Sequence, residues 1–194
     1  MNPAPSHRDH TRQITVLLHQ WKEGNDRAMD KVMSLVYDRL KEMAHRYTLR
    51  EGPDRTLNTT GLVHDAYLKI LGQNSRDYEN RSHFYAIVST CMRRVILEVV
   101  RNRNAVKRGS GARKVPVQEH FLISESDADQ ILSVNGALEK LAEFDPKLAQ
   151  ITEYRYFGGM KNEEIAEALG CSLSTVKRDW RLAKMWLQAE LGGL

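Results

Sequence analysis

The residues best suited to chemistry lie between Lys161 and Leu187, KNEEIAEALGCSLSTVKRDWRLAKMWL. Ser174, Thr175, Lys177, Arg178 and Arg181 recur there at helical spacing. Small hydroxyls at the start of a helix, with cations behind them, suit a major groove. The hydroxyls reach base edges and the cations reach phosphates. Ser172 stands where an N-cap belongs, next to the same predicted DNA surface.

The spacing behind this surface predicts a helix-turn-helix. Ala166 lets two helices approach, Gly170 opens the turn, and Val176 packs the second helix onto the first. Ile165, Leu169, Val176, Trp180 and Ala183 supply the inward face. The plainer alternative is a solvated helix in an ordinary bundle. The small residue, glycine and β-branched residue at the required offsets favour the motif.

A second cationic cluster lies upstream: Arg93, Arg94, Arg101, Arg103 and Lys107, followed by Arg108. It shares a helix with His83, Phe84 and Tyr85 and follows a polar loop, Gly72 to Ser82, that holds Tyr78. Cations with aromatics suit a nucleic-acid surface that also stacks an exposed base. Phe84 is assigned to the core. Tyr78 and Tyr85 stay open between stacking and packing.

Catalytic chemistry is not signalled. There is no G-x-x-x-x-G-K, H-E-x-x-H or G-x-S-x-G. Gly109-Ser110-Gly111 sits in a basic linker stretch, and His64-Asp65 are helical neighbours that point in different directions. His7, His10 and His19 have no cysteine partner or paired spacing, so they read as solvated. No catalytic residue, metal or cofactor is expected. Cys91 and Cys171 fall on apolar helical faces, which suits a reducing compartment.

Composition sets the frame for these sites. The chain has 194 residues, 41% of them hydrophobic, and a net charge of +4. Its charges are segregated: from Arg93 to Lys114 they are basic except for Glu98, and from Glu119 to Asp145 acidic except for Lys140. The N-terminus lacks an apolar signal core, and no run approaches the ~18 residues of a membrane span. A soluble intracellular protein without membrane insertion is expected.

Apolar periodicity predicts an all-α fold of two small domains, without strands or internal repeats. Residues 1–11 read as a disordered tail. Ile14, Leu17, Leu18 and Trp21 mark a first helix, and Met29, Val32, Val36, Leu40, Met43 and Tyr47 a second from about Arg27 to Thr48. A third starts at Thr59 or Thr60, with Leu62, Val63, Ala66, Ile70 and Leu71 inward. The fourth runs from His83 to about Arg103 over Phe84, Val88, Cys91, Val95 and Val99. Residues 12–103 form the first domain, 104–126 a flexible linker and 127–194 the second domain. Ile131, Val134, Leu138 and Leu141 begin that second domain. Asp145-Pro146 then reads as a cap with proline at the first helical position.

These pieces together resemble the extracytoplasmic-function (ECF) group of bacterial sigma factors. The resemblance rests on WKEGNDRAMDKV, TLNTTGLVHDAYLKIL, RSHFYAIVSTCMRRVILEVVRNRNAVKRG and RYFGGMKNEEIAEALGCSLSTVKRDWRLAKMWLQAEL. It implies that residues 12–103 are sigma region two and 127–194 region four. The Leu62–Leu71 helix then corresponds to the surface that docks on core RNA polymerase, with His64, Asp65 and Lys69 as the contacts. The loop and fourth helix correspond to the part that reads and opens the minus-ten element, through Asn74, Tyr78, Asn80, Tyr85, Arg93, Arg94, Arg101, Arg103 and Lys107. The helix-turn-helix corresponds to the reader of the minus-thirty-five element. Implied partners are core polymerase, double-stranded and locally melted promoter DNA, and an anti-sigma protein, in a bacterial cytoplasm. Two departures stand out. Lys161-Asn162 occupies the place of a usual capping Thr, leaving Asn162 to cap the helix or the helix to fray. Tyr78 stands near a position where Trp is frequent. The rival reading is a stand-alone helix-turn-helix regulator with an N-terminal sensor or dimerisation domain. It calls for a palindromic site, whereas a sigma factor calls for an asymmetric one.

Overall fold

The computed structural model describes residues 7–47, 55–72, 77–107 and 125–192, and all regular structure among them is helical. The helices are α1 (His7–Lys22), α2 (Asp26–His45), α3 (Arg55–Leu71), α4 (Arg81–Lys107), α5 (Glu125–Phe144), α6 (Pro146–Tyr156), α7 (Asn162–Ala168) and α8 (Leu173–Leu191). Apart from Leu71, the apolar stripes read for the first four helices are buried. Leu18, Val32, Val36, Leu40, Leu62, Ala66 and Ile70 are fully buried. Helices α1 to α4 close around this core, with α1 on α2, α2 on α3, and α3 and α1 on α4.

Helices α6 and α8 are capped where the sequence predicts. The Asp145 carboxylate accepts from the Lys147 and Leu148 N–H groups at 2.9 and 3.1 Å, with Pro146 just inside α6. Such a cap satisfies two of the helix-end donors that otherwise lack partners. Ser172 caps α8 by accepting from Thr175 N–H at 3.1 Å. Gly170 has φ +59°, and a Cβ there would meet nothing within 4 Å. Gly170→Ala is therefore expected to cost only backbone strain, about 1 kcal/mol. Equal thermal stability of Gly170→Ala and the parent chain would contradict a left-handed turn.

Several element boundaries differ from expectation. Residues 7–11, expected in a disordered tail, open α1; residues 1–6 lie outside the described set. Helix α3 begins at Arg55, before Thr59, and α2 stops at His45. Helix α4 starts two residues earlier and runs four residues further than expected, to Lys107, and α5 begins at Glu125. Helix thus covers both ends of the expected linker, and its residues 108–124 lie outside the described set. Leu71, expected in the core, is 42% exposed.

The two helical groups pack against each other along α4, which touches α5, α6 and α7. The Tyr47 hydroxyl donates to the Tyr156 carbonyl, and the Tyr47 and Phe157 rings stack with centroids 5.5 Å apart. Ser89 of α4 and Gly158, just after α6, approach so closely that a Cβ on the glycine would fall 1.9 Å from the serine oxygen.

Candidate nucleic-acid interface

Helix α8 brings its expected DNA residues onto one surface. Ser174, Lys177, Arg178 and Arg181 fall at i, i+3, i+4 and i+7, hence on one side, and all four are exposed. The opposite side is held by buried Val176 and Ala183 and half-buried Trp180. Thr175 is half-buried, and its hydroxyl lies 2.8 Å from that of Ser172. Ser172 is exposed but engaged as the helix cap.

Two residues that the sequence reading passed over set this surface. Asp179 is buried, and its carboxylate meets Lys147 at 3.4 Å and Arg178 at 2.9 Å. It orients the Arg178 guanidinium at the head of the exposed face. Arg155 of α6 donates to Asn162 Oδ1 at 3.0 Å and lies 5.1 Å from the Trp180 ring centroid. It thereby ties α6 to both helices of the motif. The signal for Asp179 was a lone acid among the cations from Lys177 to Lys184. Asn162 does not cap α7. It is the first helical residue, and Lys161 occupies the cap position. Instead the Glu164 carboxylate accepts from the Lys161 backbone N–H at 2.9 Å, as the acid in a capping box does.

The residues expected to act on melted DNA separate into groups. Arg94 and Arg101 are exposed on α4, seven residues apart and so on one side. Arg103 and Lys107 lie on the last turns of α4, and their side chains are outside the described set, as is all of Asn74. Arg93 points at α5 and α6 instead. It donates to Asn135 Oδ1 at 2.9 and 2.8 Å and pairs with Glu153 at 2.8 Å. Asn80 caps α4 by accepting from His83 N–H at 2.9 Å.

Both tyrosines, open in the sequence between stacking and packing, are buried in this arrangement. Tyr78 is 1% exposed, and its ring packs on Trp21 and Phe84 at 5.4 and 5.6 Å between centroids. Burial pushes its phenol up to about 12. Helix α1 holds this end of the loop: Lys22 pairs with Asp77 at 2.5 Å, and His19 Nε2 lies 3.0 Å from the Glu79 carbonyl. Tyr85 is 2% exposed, beneath the guanidinium groups of Arg39 and Arg81, which lie 4.2 and 5.0 Å from its ring centroid.

The expected polymerase-docking residues sit together on α3. His64 and Lys69 are exposed and Asp65 is half-exposed. Partial burial holds the Asp65 carboxyl above its ordinary range. Lys69 pairs with Glu98 of α4 at 3.0 Å across the surface. Leu68 is 51% exposed beside them. With Leu71 it adds an apolar element at i+4 and i+7 from His64 that the charged residues alone did not reveal.

A family model described as ECF sigma factor matches residues 11–193. No curated protein matches the chain. Among solved structures the chain is similar to CnrH, in "Structure of CnrH in complex with the cytosolic domain of CnrY". The identity is 18% and the TM-score 0.43, over 93% of this chain and 98% of that one.

Proposed function

Because the chain belongs to the ECF sigma factor family, and so acts in transcription initiation, we propose that it binds core RNA polymerase, directs it to a bipartite promoter and promotes strand opening there. The observation that carries this reading is one family match running through both helical groups, from residue 11 to 193. A stand-alone regulator would need only the helix-turn-helix from the family. Proposed partners are core polymerase, promoter DNA in double-stranded and locally melted form, and an anti-sigma protein. Among the described residues no helix is long and apolar enough to cross a membrane, and a bacterial cytoplasmic location belongs to the proposal.

In this reading residues 12–103 and 127–194 each hold one DNA-binding surface. Each alone binds weakly, largely through phosphates. Joining them raises the effective concentration for the second contact, and docking on polymerase fixes their spacing. Opening needs no hydrolysis by this chain, because holding an extruded base offsets the few kcal/mol of unstacking. The upstream surface is α8, with Ser172 and Thr175 at its start and Ser174, Lys177, Arg178 and Arg181 along the exposed face. The strand-opening surface draws on Asn74, Tyr78, Asn80, Tyr85, Arg93, Arg94, Arg101, Arg103 and Lys107, and burial of the tyrosine rings means that they serve it only after rearrangement.

The polymerase surface is His64, Asp65, Leu68 and Lys69. Asp65→Lys combined with Lys69→Glu leaves Leu62, Ala66 and Ile70 in the core. It sacrifices one exposed ion pair worth at most about 1 kcal/mol. Affinity for core polymerase is expected to fall about tenfold, because interface charges set steering and register. The test is polymerase affinity together with transcription from a matched promoter. Unchanged polymerase affinity in the folded variant would place the docking surface elsewhere. A parent chain that supports no transcription with core polymerase would sink the sigma-factor reading.

A further inference from the structure

The face of α4 that carries Tyr85 is covered by α7, and the cover is built around one carboxylate. Arg39 of α2 donates to both oxygens of Glu164, at 2.5 and 2.6 Å. Arg81 of α4 lies 3.7 Å from the same carboxylate. The two guanidinium groups also sit over the Tyr85 ring. Burial alone would push the Glu164 carboxyl up. Its hydrogen bonds from Arg39 and the Lys161 N–H, with the charges of Arg39 and Arg81, outweigh burial and hold it below the ordinary range. Next to this contact, Ser82 donates to Glu167 at 2.6 Å.

Two guanidinium groups above an aromatic ring suit a phosphate with a neighbouring base. The planar fork of Arg39 matches the two oxygens of a phosphate as it matches those of a carboxylate. The guanidinium planes, held over the Tyr85 ring, offer a stacking face to an unpaired base. We propose that Arg39, Arg81 and Tyr85 form a binding subsite for single-stranded DNA, and that Glu164 occupies it in the docked form as an internal mimic of the phosphate. The docked chain is thus self-blocked, and DNA reaches the subsite only when the two helical groups separate. This rests on the sigma-factor reading for its biological meaning, but not for its measurement.

Glu164→Gln separates the two roles of this side chain. Glutamine keeps the capping hydrogen bond to Lys161 N–H but loses the charge that holds Arg39 and Arg81. The measurement is fluorescence anisotropy of a labelled single-stranded 12-mer with the full chain, alongside small-angle scattering. Glu164→Gln is expected to enlarge the radius of gyration and bind the oligonucleotide about tenfold tighter, since apparent affinity scales with the competent fraction. Arg39→Gln is expected to enlarge the chain as well, without that gain. The pair Arg39→Gln with Glu164→Gln should be open and lack it too. Glu164→Gln that stays as compact as the parent overturns the latch. An open Glu164→Gln with unchanged DNA affinity, or a gain that persists in the double variant, overturns the subsite. No polymerase enters this assay. A failure of the sigma-factor reading would therefore show as absent transcription while the oligonucleotide result stands.

Discussion

Tyr78→Ala is expected to destabilise the first helical group by about 3–5 kcal/mol, the range for deleting a large buried aromatic side chain. The ring is 1% exposed and wedged between Trp21 and Phe84. Its loss opens a cavity where α1, the loop and α4 meet. Tyr78→Phe should behave in the opposite way. The Tyr78 hydroxyl has no hydrogen-bond partner among the described residues. Removing a buried, unpaired hydroxyl while keeping the ring is expected to be neutral or to stabilise by about 1 kcal/mol. Urea unfolding of both variants separates the alternatives. If Tyr78→Ala folds as stably as the parent while promoter opening collapses, the ring is a DNA contact and not a core residue. If both variants keep parental stability and open DNA normally, the ring matters to neither.

The contrast between this ring and α8 shows what can be read in a sequence. The helix-turn-helix is local: Ala166, Gly170 and Val176 lie within three turns of chain, and their offsets encode the angle between the helices. The cap at Ser172 and the face through Ser174, Lys177, Arg178 and Arg181 follow from the same periodicity, and the structure places them accordingly. Tyr78 had no such frame. It sits in a polar loop without period, and its surroundings are set by Trp21 of α1, far away in sequence. A lone aromatic in a loop carries the same local signal whether it stacks on DNA or on tryptophan.

The docking of the two helical groups was illegible for a related reason. Arg39, Arg81, Glu164 and Glu167 each fall where a solvated charge is ordinary, and none is close in sequence to its partner on the other group. Pairing them requires knowing which helices meet. The same holds for Arg93. It was grouped with Arg94 and Arg101 because all three belong to one cationic run, yet one step along a helix turns the side chain by about 100°. Arg93 consequently faces Asn135 and Glu153 while Arg94 faces solvent. Gly158 lies just past the end of α6. Its contact with Ser89 needs the whole of α4 to be in place.

On the upstream surface, Arg178→Ala is expected to weaken binding to the upstream promoter element by about 1–3 kcal/mol if the guanidinium reads a guanine, with relaxed preference at one position. The side chain is 69% exposed, and its guanidinium is oriented from one side by buried Asp179. Arg178→Ala therefore removes the reading group and leaves the Asp179 carboxylate with Lys147, 3.4 Å away. The fold keeps one of the two charges that neutralise this buried acid. Lys177→Ala provides the control. Lys177 is exposed on the same face, and as a phosphate contact its loss should weaken every sequence alike and lower the salt dependence by about one counterion. The measurement is affinity for the upstream element and for single-base variants of it, across a salt series, with the full chain. A uniform loss for Arg178→Ala would make it a phosphate contact like Lys177. Unchanged binding in both variants would remove this face of α8 from the groove and leave its cations as ordinary surface charge.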